Sequence, residues 1–358
     1  MKNKIVKSLS ALMLVCCVFS LNFLSIGASY NEFLSENGIE VTKTKYVTTV
    51  KRTDVIESTM SESALKSLKR NLEKQTLTEH EKNVEILRTL GYHEETIAGM
   101  APEDIDLMME DAASFQIQVV YMKANEDGTT SVISEEDCLS AMEAQQNAIA
   151  TASGDNDGWN ATTFDGCMRI TVSSVYIDPN TMNGQKGWYA FHSWYEWLVP
   201  DSNRYTDVMS IGTTACMWSD NENDYSSNLY YKLRDINGNV SDYNDRIAGF
   251  QNDSISGLGI AYKRDMPKDS GKNSPVTYIQ FYVRGKGRVP NSSVENNFNV
   301  YSRYNHTQKT VSFDINVSYN WEYHADGSLD SYSVVSIIPK SGLTVTPYTT
   351  MNATMYSP

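Results

Sequence analysis

The sequence predicts an α+β protein: a small helical and hairpin module followed by an antiparallel β-sandwich. Helix caps and helical stripes crowd residues 77–152, and from about residue 162 the chain turns to short β-favouring runs separated by Asn, Asp, Gly and Ser. No helical run of useful length separates those later strands, so they are expected to pair antiparallel.

Taken in order, the first element is a signal peptide over residues 1–28. Lys2, Lys4 and Lys7 precede the apolar run ALMLVCCVFSLNFLSIGA, which ends in small residues. Ser20, Asn22 and Ser25 interrupt the run, which is short for a ~20-residue membrane span. Cleavage near Ala28 or Ser29 is therefore expected, and no later segment is apolar enough to span a membrane. Loss of three lysines and no acids takes the formal charge from −14 to −17. A chain this acidic repels nucleic acid and anionic membranes.

Residues 29–76 are polar and without a sustained period, which suggests a linker or mobile arm. The module over 77–152 opens on Thr78 and Glu81, the spacing of a capping box. Val84, Leu87 and Leu90 then form a stripe that Gly91 ends. Pro102 starts a further helix. The stretch SFQIQVVYMKANEDGTTSVIS reads as a hairpin turning at Asp127-Gly128, and Ser134 with Asp137 caps the helix after it.

The polar stretch TASGDNDGWNATT marks a domain boundary, with the β-sandwich placed over 160–350. CMRITVSSVYI and VTYIQFYVRGKGRV are strands in composition. The clearest is TVSFDINVSYNWEYH, where Val311 to Tyr323 alternates apolar and polar residues without a fault. Asp326-Gly327 then turns the chain into a partner strand.

One stretch concentrates the candidate site residues. KGWYAFHSWYEWLVPDSNRYTD carries seven aromatic rings and a histidine. One parity holds Trp188, Ala190, His192, Trp194, Glu196 and Leu198; the other holds Tyr189, Phe191, Ser193, Tyr195 and Trp197. A strand apolar on both sides is either covered on both faces or exposes one aromatic row for binding. In the second case Trp188, Trp194, Trp197, Tyr195 and His192 would contact a ligand such as a sugar, by stacking on its ring faces. Pro200 ends the strand, and Arg204 and Asp207 are placed to pair on the return.

Catalytic patterns are sparse. There is no HExxH pair and no G-x-S-x-G elbow. His192, with Glu196 and Asp207 nearby in sequence, is the one histidine whose neighbours suit a base and its orienter. Calcium enters only through two acidic loops, SGDNDGWN and the Asp220, Glu222, Asp224 triplet, and neither completes a calcium-loop pattern. No other cofactor is implied. Signal removal leaves Cys138, Cys167 and Cys216, which permit at most one internal disulfide. Cys167–Cys216 is the expected pair because both lie in the β region; three reduced thiols are the alternative.

The succession LGYHEETIAGMAPEDIDLMMEDA, VVYMKANEDGTTSVISEEDCL and WYEWLVPDSNRYTDVMSIG, followed by a β-rich tail, resembles a group of uncharacterised secreted proteins of Gram-positive bacteria. The likeness spans about residues 80–345 and is sharpest at Trp197, Leu198, Pro200, Arg204 and Asp207. It implies export and this architecture, and it carries no catalytic residues. The expected function is non-enzymatic binding of a surface protein or glycan by a secreted, cell-surface-associated β-sandwich. The alternative is an extracellular hydrolase acting on a polymer such as glycan or cell wall.

Overall fold

The computed structural model describes residues 38–355, except 53–54, 125–129, 153–165, 201–203, 214–215, 236, 250–254, 257–258, 271–273, 290–297, 308–312, 324–328, 340–344 and 347–349. The expected signal peptide over residues 1–28 and the loop SGDNDGWN lie outside these residues.

The chain is mostly antiparallel sheet with a few helices. Residues 40–72 are the first departure from expectation, because they are not a linker. They form strands β1 (Glu40–Lys43), β2 (Thr48–Lys51) and β3 (Ile56–Met60), then helix α1 (Glu62–Leu72). The strands are short and charged because they form a sheet margin, where one side faces water. Helix α1 buries Leu65, Leu68 and Leu72 at helical spacing.

The predicted caps are present. Helix α2 (Glu79–Leu90) begins with the reciprocal Thr78–Glu81 box and ends at Gly91, whose φ of 94° favours glycine. Helix α3 (Glu94–Ala98) and helix α4 (Pro102–Glu110) follow. Strand β4 (Ala112–Ala124) pairs with β5 (Thr130–Ile133) in the expected hairpin, and its Asp127-Gly128 turn lies outside the described residues. Ser134 Oγ accepts from the Asp137 backbone N–H (3.1 Å) and so caps helix α5 (Glu135–Ala152).

The remaining strands are β6 (Cys167–Ile177), β7 (Trp188–Val199), β8 (Thr206–Thr213), β9 (Met217–Trp218), β10 (Ser226–Arg234), β11 (Val240–Ala248), β12 (Ile255–Ser256), β13 (Gly259–Asp265), β14 (Val276–Arg288), β15 (Phe298–Thr307), β16 (Phe313–Tyr323), β17 (Leu329–Pro339), β18 (Val345–Thr346) and β19 (Thr350–Met355). They build a large sheet in the order β1-β2-β3-β4-β6-β7-β14-β10-β11, with β5 on β4 and β9 on β14. A smaller sheet runs β12-β13-β8-β15-β18, with β19 also on β15. The stretch FDINVSYNWEY forms β16 and pairs with β17 from Phe313↔Pro339 to Tyr323↔Leu329.

The large sheet passes straight through the expected domain boundary. Strand β4 pairs with β6 from Ala112↔Ile177 to Lys123↔Cys167, so the helical module and the β region share one sheet. One face of this sheet carries the helices. Leu65, Leu87, Leu90, Ile105 and Met108 pack there on Phe115, Val175, Trp194 and Tyr282. The opposite face meets the small sheet, where Met209, Ile211, Ile260, Tyr262 and Tyr304 pack on Ile170, Phe191, Trp197 and Phe281. Burial on both faces is why β7 reads as apolar on both parities.

Candidate functional site

Strand β7 is at the centre of the molecule. Trp194, Tyr195, Trp197 and His192 are each 0% exposed, and Trp188 is half-buried at the strand's start. The expected ligand-binding row is therefore core. Trp194 joins the helical face, 5.1 Å edge-on from Tyr92, while Tyr195 and Trp197 join the opposite face. Trp197 Nε1 donates to the Tyr304 hydroxyl (2.8 Å) and Tyr195 donates to the Ser210 carbonyl (2.8 Å), so both rings tie the two sheets together.

Among the described residues His192 has no carboxylate partner. Its Nδ1 lies 2.8 Å from the Tyr282 hydroxyl, and its ring stacks on Trp194 at 11°. Burial, aided by the Arg284 charge, pushes its pKa well below the usual histidine value. An imidazole sealed between the Trp194 and Tyr282 rings cannot reach a polymer and does not serve as the expected base. Glu196 instead accepts two hydrogen bonds from Arg169, from Nε to Oε2 (2.7 Å) and from Nη2 to Oε1 (2.8 Å). Thr96 Oγ1 (2.8 Å) and the Tyr278 hydroxyl (2.6 Å) also donate to Oε1. Burial acts to raise the Glu196 carboxyl, but Arg169 outweighs it and holds the group below the usual range. This knot docks α3 onto the sheet, with Gln280 Nε2 donating to the Thr96 carbonyl (3.2 Å) and Asn228 to the Gly99 carbonyl (2.9 Å).

Asp207 is also fully buried. Its carboxylate meets His306 Nδ1 (3.0 Å) and the Tyr304 hydroxyl, while Arg204 reaches Asp269 (2.6 Å). The sharpest part of the sequence motif thus fastens β8 to β15 and to the 266–269 segment. His306 lies in strand β15 and is buried.

The disulfide joins Cys138 to Cys167, across 29 residues, and not Cys167 to Cys216. It links the first turns of α5 to the start of β6. Cys216 is a buried free thiol whose pKa burial pushes up to about 12, as expected of an inert side chain.

Beside this disulfide lies a groove of about 650 Å³ between α5 and strands β1 to β5. Ile56, Val119, Tyr121 and Ile133 line it, with Leu139 contributed by α5. Lys51 and Arg52 stand on the strand side with Glu40, and Glu135, Glu136 and Glu143 on the helix side; Lys51 reaches across to Glu135 (3.5 Å), and Arg52 pairs with Glu57 (3.3 Å). The Tyr121 hydroxyl donates to Glu135 Oε1 (2.9 Å), and His93 Nε2 approaches the same hydroxyl at 3.3 Å. His93 has a pKa below the usual value, first through burial and then through the Arg169 charge. The tautomer that fits carries its proton on Nε2.

Among the described residues no three His, Cys, Asp or Glu side chains converge on a metal position. The loop of Asp220, Glu222 and Asp224 forms a 3₁₀ turn, with the Lys286 ammonium 3.9 Å from Asp224. No described helix is long and apolar enough to cross a membrane.

No family model and no curated protein matches the chain. One solved structure, from work on "pH-induced modulation of Streptococcus parasanguinis adhesion by Fap1 fimbriae", overlaps 52% of this chain and 80% of its own, at 12% identity and a TM-score of 0.22. That overlap is too loose to carry an argument about fold or function.

The groove residues were not apparent from the sequence. Tyr121, Glu135 and Lys51 come from three elements, and no local spacing joins them. The one available signal was the acidic first turn of α5, which helix capping already explained.

Proposed function

We propose that the protein is an exported, non-enzymatic binding protein of the cell surface, a sandwich with a helical cap. Its groove would take an extended polypeptide segment of a surface partner. Export is supported by the pattern over residues 1–28, by a disulfide of the kind that persists in oxidising compartments, and by the resemblance to secreted Gram-positive proteins. The observation that carries the binding reading is the groove itself: basic and acidic side chains face each other across an apolar floor. A peptide with an acidic end, an apolar middle and a basic end matches that order. A glycan reading would need an exposed aromatic platform, and the tryptophans of β7 do not supply one.

The test is panning the exported protein against a displayed library of short peptides, beside a glycan array. Leu139→Arg, at a side chain 37% exposed, crowds the groove without touching the core. Enriched peptides should carry the acidic–apolar–basic order and lose binding to the Leu139→Arg protein. Glycan binding with no peptide enrichment, or peptides that ignore Leu139→Arg, would refute the groove assignment.

A further inference from the structure

Strand β11 closes one end of the large sheet, and it lacks the proline, lysine and bulge that often guard such an edge. It pairs with β10 along its whole length, from Ser226↔Ala248 to Arg234↔Val240, with no bulge. No strand covers its other side among the described residues. Residues 240–245 are all exposed, including Val240 at 55% and Tyr243 at 44%. The strand VSDYNDRIA has no proline and no lysine. An edge this long and regular is a template for another strand.

Its charges indicate which strand. In an antiparallel pairing of two identical strands that keeps both sheet faces continuous, opposed residues have the same parity. Centring the twofold on Asn244 sets Asp242 against Arg246 of the second copy, twice, and Tyr243 against Asp245. Val240 then meets Ala248, and all nine residues pair. Moving the centre to Asp245 puts two carboxylates face to face. Moving it to Tyr243 sets Asp242 against Asn244 and leaves Ile247 and Ala248 unpaired. Arg246 holds Asp104 through Nε and Nη2. A guanidinium has five N–H donors, so Nη1 can serve a second carboxylate.

We infer that the protein forms a twofold dimer by antiparallel pairing of β11 with β11 of a second copy, centred on Asn244, so that the large sheet runs on through both chains. This is independent of the groove, which lies near the other end of the sheet.

The register makes the test specific. Opposed Cα atoms in an antiparallel pair lie about 4.5–5.5 Å apart, within disulfide range. Asn244→Cys in the exported full-length protein should therefore yield a disulfide-linked dimer under mild oxidation. Tyr243→Cys and the parental protein, treated alike, should not. By sedimentation the parental protein should be dimeric at micromolar concentration, and Asn244→Pro should be monomeric with an unchanged near-ultraviolet circular dichroism spectrum. Asp242→Arg, an exposed change that keeps the backbone donors, should weaken dimerisation by about tenfold or more because two like-charge pairs replace two opposite ones. If Asn244→Pro fails to fold, Asp242→Arg and the cysteine pair still decide the question. A monomeric parental protein, a dimer indifferent to Asp242→Arg, or cross-linking through position 243 instead of 244 would each overturn the inference.

Discussion

Removing either half of the Arg169–Glu196 pair should destabilise the protein more than removing both. Glu196 is 0% exposed and Arg169 is 2% exposed, so neither charge can turn to water when its partner is lost. Breaking a buried pair costs about 3–5 kcal/mol, at the upper end for Glu196 because Thr96 and Tyr278 each lose one acceptor while keeping Arg169 and Gln280 as partners. Glu196→Leu should therefore cost about 5 kcal/mol, and Arg169→Met about 4 kcal/mol, since the carboxylate keeps two hydroxyl donors. The double variant leaves no buried charge and should cost only about 2 kcal/mol, so the coupling is on the order of 7 kcal/mol. Urea unfolding with a shared m-value measures all three. The carboxyl is held below its usual range, so its contribution is present above the unfolded value of about 4.3 and is lost as pH falls through the folded value. The gap between parental and Glu196→Leu proteins should be flat from neutrality to about pH 5 and close below about pH 4. Additive single losses, or single losses under about 1 kcal/mol, would refute the argument that burial makes this pair mutually dependent.

Reduction of Cys138–Cys167 should lower stability by about 3.5 kcal/mol, the loop-closure value for its separation of 29 residues, read as a fall in melting temperature with dithiothreitol. Cys216 should stay unlabelled by thiol reagents until the protein unfolds. Gly99→Ala would drive a methyl into the Gln280 amide and should cost about 1–3 kcal/mol by chemical denaturation, with faster hydrogen exchange in α3. His192 has a folded pKa below that of the unfolded chain, so its contribution is intact above about pH 6.5 and falls by up to about 1.4 kcal/mol per unit as pH drops below that. His192→Phe should flatten that slope in urea titrations between neutrality and pH 5; an unchanged slope would count against burial of a neutral imidazole.

Legibility in the sequence followed the range of the interaction. The Thr78–Glu81 box, Gly91 and the Ser134 cap are set by residues three or four apart, and each appears as the sequence indicated. Period-two patterning gave β16 and β17, and the double aromatic parity of β7 pointed to a strand with both faces covered. Pairing partners were not legible. Strand β4 meets β6 across the polar stretch that suggested a boundary, because sheet pairing follows matched edges and buried faces rather than composition between strands. Residues 40–51 looked like a linker because margin strands need little apolar content. The cysteine pairing failed for a related reason: Cys138 is on a helix, and nothing in its spacing reveals that α5 lies across the start of β6. Asp207 was visible as part of a motif, but its partners Tyr304 and His306 are near the far end of the chain.

The order in which the strands sit beside one another bears on how the chain is made. Strand β7 takes β14 as its neighbour, and β14 in turn receives β10, so the middle of the large sheet cannot close until Val276–Arg288 has been synthesised. Tyr195 and Trp197 wait longer still, because Tyr304 of β15 is among their covers. Non-local pairing of this kind folds slowly and leaves sticky intermediates. A nascent chain would therefore remain unclosed through most of its translation, which suits passage through a narrow channel.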